Sequence, residues 1–141
     1  MFGNLLTSKE LRAAQAELAP FSAWLEAHAQ DQAPVANMLL ARTLAALRQD
    51  KRATRVALRD WGWSPRDLVV WTAARQAGAL LRQPDWHASH PDAIGALHRL
   101  FDACCADLLR SGFLTRSDVG EVRGSLGNRA ALRASPATAA A

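Results

Sequence analysis

Apolar residues recur at intervals of three and four along most of the chain, and no strand-like alternation of apolar and polar residues survives inspection. Thr7-x-x-Glu10 has the form of a capping box, and Leu11, Ala14 and Leu18 follow at helical spacing until Pro20, which reads as the stop. Phe21, Trp24, Leu25 and His28 mark one face of a second short helix, and Gln30 to Pro34 reads as a turn with Pro34 suited to open the next helix. From Val35 to Trp61 there is no Gly or Pro. That stretch predicts one long helix, or two broken near Asp50, with Val35, Met38, Leu39, Ala46 and Leu47 as apolar positions. Gly62 ends it. Ser64 is placed to cap the following helix, with Pro65 at its first position.

The helix predicted from Pro65 to about Leu81 is apolar round much of its girth (Leu68, Val69, Val70, Trp71, Ala74, Ala77, Leu80, Leu81), which marks a central element. Gln83 to His90 reads as a loop, and Ser89-x-x-Asp92 as a second capping box. Ile94, Leu97, Phe101, Cys104 and Leu108 define an amphipathic helix that Gly112 is suited to end. A short last helix is expected from Thr115 or Ser117, interrupted by Gly120 and Gly124. Residues 128–141 are Ala-rich with few large apolar side chains, the composition of a flexible tail. The pattern as a whole predicts an all-α fold: a compact bundle of five or six helices over residues 1–127, with a disordered C-terminal tail. Its core should draw on Leu11, Leu18, Trp24, Leu39, Leu47, Trp71, Leu97, Phe101 and Leu108.

At 141 residues the chain fits one domain, and half of its residues are hydrophobic, a globular composition. Much of that half is alanine, so buried area must come from the scattered Leu, Val and Phe residues and the five Trp. No stretch approaches the roughly 20 apolar residues of a membrane span. The N-terminus lacks the basic and apolar regions of a signal peptide, so a cytoplasmic protein without membrane contact is expected. Cys104 and Cys105 are adjacent and cannot form an ordinary bridge within a helix.

The net charge of +4 is unevenly placed. Between Arg42 and Arg66 stand seven basic residues (Arg42, Arg48, Lys51, Arg52, Arg55, Arg59, Arg66) against two acids, Asp50 and Asp60. Arg48, Arg52, Arg55 and Arg59, at spacings of 4, 3 and 4, would form one stripe of roughly 16 Å on a continuous helix. Like charges so spaced oppose the helix unless a partner neutralises them. Phosphate does so and releases counterions, and the guanidinium fork suits it. Trp61 and Trp63 close the segment and offer rings for stacking on bases. An acidic protein surface would suit the same stripe, as would plain solvation of the Arg stems.

Residues 57–71 contain Gly62, Trp63, Ser64, Pro65, Leu68 and Trp71 at the spacing of a helix, a glycine turn and a second capped helix. This resembles the helix-turn-helix pattern, which implies that the second helix enters the major groove of DNA. Leu58 stands where that family has a small residue, and Val69 and Val70 fall where its reading positions are polar. An ordinary capped corner between two helices fits the same residues.

His87, His90 and His98 lie near Cys104 and Cys105 in sequence, but Pro91 and a loop divide them and there is no Cys-x-x-Cys pair. His98, Asp102 and Cys105 share a helix face, two turns from end to end. No Gly-rich phosphate loop, Gly-x-Ser-x-Gly or paired-carboxylate pattern is present. The expectation is a non-enzymatic protein with no cofactor and no metal site. It would bind nucleic acid through Arg42, Arg48, Lys51, Arg52, Arg55, Arg59, Trp61, Trp63 and Arg66, alone or as a small subunit of a nucleoprotein assembly. The alternative is a protein-protein interaction module (an adaptor, chaperone or structural subunit) that uses an apolar helix face and the Arg stripe for an acidic partner.

Overall fold

The computed structural model describes residues 9–115. Thr7, the short helix expected after Thr115, and the tail 128–141 lie outside them. The described residues form α1 (Lys9–Ala16), α2 (Leu18–Ala29), α3 (Ala33–Gln49), α4 (Lys51–Arg55), α5 (Pro65–Leu81), α6 (Pro84–Ser89) and α7 (Ile94–Arg110). A π-helical turn, Val56–Asp60, extends α4, and a 3-10 turn, Pro91–Ala93, leads into α7. The fold is all-α, and no helix among the described residues is long and apolar enough to cross a membrane.

The break between α1 and α2 falls earlier than Pro20. A proline ring clashes with the carbonyl four residues before it, and that residue is Ala16, the last of α1. Pro20 itself is the third residue of α2, where its missing N–H would have had no helical partner.

α5 is the central element, packed against α1, α2, α3, α6 and α7. Leu68, Val69, Val70, Trp71, Ala73, Ala74, Ala77, Gly78 and Leu80 are all buried, which accounts for its apolarity round much of its girth. Its start is fixed as the sequence implies: the Ser64 hydroxyl oxygen accepts the Asp67 N–H at 3.1 Å, and Pro65 opens the helix. Each large aliphatic side chain buried here contributes roughly 1.5–3 kcal/mol. α7 covers α5 with Leu97, Leu100, Phe101, Cys104, Cys105 and Leu108, and the chain turns out of it at Gly112 with φ of +79°. Phe21, Leu25 and Leu39 complete the core, while Leu18 and Trp24 are only partly buried.

Two local readings are corrected. Residues 84–89 are helical rather than loop, because Pro84 pre-sets the first turn of α6. Ser89 caps nothing: its hydroxyl donates back to the Asp85 carbonyl at 2.9 Å, and the 3-10 turn takes over the entry to α7.

Candidate nucleic-acid interface and an aromatic groove

The arginine segment does not lie on one helix. Asp50 leaves the helical region (φ −121°, ψ 74°) and ends α3. Its carboxylate accepts the Ala53 N–H at 3.0 Å and so caps α4. The buried Thr54 hydroxyl lies 3.2 Å from both the Leu47 and Asp50 carbonyl oxygens and serves the acceptors freed by the break. Beyond Arg55 the helix widens into the π turn, closed by Trp61 N–H to the Val56 carbonyl at 3.0 Å. Arg48 therefore belongs to the last turn of α3, Lys51, Arg52 and Arg55 to α4, and Arg59 to the π turn.

Arg42, Arg48, Arg52, Arg55 and Arg59 are nevertheless all exposed, and Lys51 is half-buried. Arg42 stands six residues before Arg48 on α3, about 120° away round the axis. Arg59 reaches Asp60 at 3.7 Å in an exposed pair, a contact of little strength. The guanidinium groups of Arg42, Arg48, Arg52 and Arg55 make no ion pair or hydrogen bond among the described residues.

Arg66 has a different task. Its Nη2 lies 3.1 Å from Asp107 Oδ1, which also receives Arg110 Nη2 at 3.2 Å. The Arg66 guanidinium also sits 5.8 Å from the Trp24 ring centroid. It thus ties the start of α5 to α7 and α2. Removing Asp107, whose side chain is 12% exposed, leaves that clamp without its acceptor. Asp107→Ala should cost about 2–3 kcal/mol in urea unfolding, short of a fully buried pair because Arg66 stays partly solvated. Arg110→Ala, at the exposed arm, should cost less than about 1 kcal/mol.

The two tryptophans also part company. Gly62, at φ +72°, turns the chain between them. Trp61 is 36% exposed, the one large apolar side chain left so among the described residues, whereas Trp63 is 9% exposed. Trp63 meets Trp61 at 5.3 Å and packs edge-on against Phe113 at 4.8 Å. Its indole N–H is buried without an acceptor among the described residues. Nor is the corner a DNA-reading motif. The helix that would enter the major groove is α5, and Val69 and Val70 at its reading positions are 0% exposed. It is a capped corner that delivers α5 into the core.

A groove of about 580 Å³ opens between the end of α3, α4, the π turn and α5. Trp61, Trp63 and Trp71 stand among its walls, Thr72, Arg75, Gln76 and Arg82 line it along α5, and Ala46, Ala53 and Ala57 line the other side. Sequence reasoning missed it. The signal was present as a stripe, Thr72, Arg75, Gln76, Ala79 and Arg82, at helical spacing on an otherwise apolar helix. At about 100° per residue, Arg52 lies some 160° round α4 from the groove-lining Thr54. The basic face and the groove are therefore separate surfaces.

No known family model, curated protein or solved structure matches this chain.

Function must then be read from the side chains themselves. Cys104 and Cys105 are buried in α7. Burial pushes the Cys104 thiol far above its ordinary range, Cys105 and Asp107 push it further, and Arg66 offsets only part; a thiol so held is a poor nucleophile and metal ligand. His98 and Asp102 are exposed on the same helix. On α6 the His90 ring stacks on Trp86 at 4.6 Å and 13°. Among the described residues no group of three His, Cys, Asp or Glu is placed to hold a metal ion.

Proposed function

We propose that this protein is a non-enzymatic nucleic-acid-binding module, acting alone or as a small subunit of a nucleoprotein assembly. The phosphate backbone would lie across Arg48, Arg52, Arg55 and Arg59, with Arg42 and Lys51 at its flank. The observation that carries this reading is the set of exposed guanidinium groups at Arg42, Arg48, Arg52 and Arg55, which have no ion-pair partner among the described residues. Crowded cations without partners raise the energy of the free protein, and a polyanion lowers it by neutralising them and shedding its own counterions. Because α5 is committed to the core, it is not free to read base edges, so binding should follow the backbone and show little sequence preference.

The test is an anisotropy titration of labelled 20-mer duplex and single strand at 50 mM salt, set beside polyglutamate of similar length. Binding of the oligonucleotides irrespective of sequence is the expected result. Absence of binding to either at low salt, with polyglutamate bound instead, would transfer the face to an acidic protein partner.

A further inference from the structure

The groove along α5 lies on the far side of α4 from the basic face and stands apart from any polyanion bound there. We infer that it is a second binding site, for a small aromatic monoanion: a flat ring seated among the tryptophans, with a carboxylate on a short arm reaching Arg75. The first observation is the order of chemistry along the groove. Leu68, Arg75 and Arg82 stand at i, i+7 and i+14, in line on one face of α5. Trp71 is three residues from Leu68, and Trp61 and Trp63 lie just before the helix starts, so the indoles crowd the Leu68 end and the cations hold the other. Along the axis Arg75 is about 6 Å from Trp71 and about 10 Å from Leu68. The wall opposite is built of Ala46, Ala53 and Ala57, whose methyl groups leave the space that larger side chains would fill. The resulting volume of about 580 Å³ falls within the roughly 300–1,000 Å³ of small-molecule sites.

The second observation is unmet polar capacity beside open apolar surface. The Arg75 guanidinium and the side-chain amide of the half-buried Gln76 have no hydrogen-bond or ion-pair partner among the described residues. Trp61, in the same lining, is 36% exposed, and a second ring laid on it gains both burial and offset stacking. Charge sets the sign and the size of the ligand. Two guanidinium groups, Arg75 and Arg82, line the groove against one carboxylate, Asp50, which already accepts the Ala53 N–H at 3.0 Å. The balance is a single positive charge, which a monoanion matches. Arg75 can take a carboxylate through two parallel N–H donors, and the Gln76 amide can add a third.

The experiment is calorimetric titration of the full chain with 2-naphthylacetate, with its uncharged amide, and with octanoate, which has the charge without the ring. Naphthylacetate should saturate one site, and the amide and octanoate should each bind at least about 5-fold more weakly. Arg75→Gln should weaken naphthylacetate by at least about 5-fold and shift the amide by less than about 2-fold, because the guanidinium holds the charge while the indoles hold the ring. Ala79→Trp, which fills the groove from an exposed position, should abolish binding of both, with the melting curve of the parent retained. Absence of saturable binding by the parent overturns the assignment, and so does equal affinity for octanoate. Binding that survives Ala79→Trp overturns it as well, as does a loss in Arg75→Gln shared equally by acid and amide.

Discussion

The double variant Arg52→Gln/Arg55→Gln should bind a short duplex about 200-fold more weakly than the unmodified protein at 50 mM salt. Each phosphate contact contributes a factor that scales as salt to the power of about −0.9. Against a reference near 1 M salt, that is about 15-fold per contact at 50 mM and about 4-fold at 200 mM. The gap between variant and parent should thus shrink to about 20-fold at 200 mM. The slope of log K against log salt should flatten by nearly 2. Arg12→Gln, an exposed arginine of α1, removes the same charge away from the face and should leave the slope unchanged. Equal losses from Arg12 and Arg52 would mean that net charge, not this face, holds the polyanion.

Val69→Lys should remove a large part of the protein's stability and sharply lower its melting temperature. Val69 is 0% exposed in the middle of the core, so the substitution either buries an ammonium group or forces α5 out of place, at a cost of about 4 kcal/mol or more. A domain of this size has roughly 5–15 kcal/mol in all. On a helix presented to DNA the same change would cost under about 0.5 kcal/mol and would strengthen binding. Circular dichroism melting of Val69→Lys separates the two, and an unchanged melting temperature would remove α5 from the centre of the fold.

Much of the architecture was legible wherever one helix buries one face. The Ile94–Leu108 spacing, the all-round apolarity of α5 and the Ser64-Pro65 start all describe local chemistry that the fold keeps. The break at Asp50 was harder to place, because it depends on a side chain capping one helix while Thr54 serves the carbonyls of another. α6 was missed because six residues are too few to show a period. Most of the candidate interface was legible as charge in sequence. Arg66 was not, since its partner Asp107 lies 41 residues away and on another helix. Trp61 and Trp63 look equivalent in sequence, and only the positive φ of Gly62 separates the exposed ring from the buried one. The groove was harder to see because only its α5 wall leaves a sequence signal, the stripe from Thr72 to Arg82, while the elements opposite look ordinary alone.

The pair of thiols in α7 has a consequence beyond chemistry. Cys104 and Cys105 are 0% and 1% exposed, on the helix that covers α5, so a thiol reagent reaches them only when α7 lifts from the core. The molecule therefore carries an internal clock for its own opening. Under gentle conditions the labelling rate counts excursions of α7, and in denaturant it counts global unfolding, with no probe added to the chain.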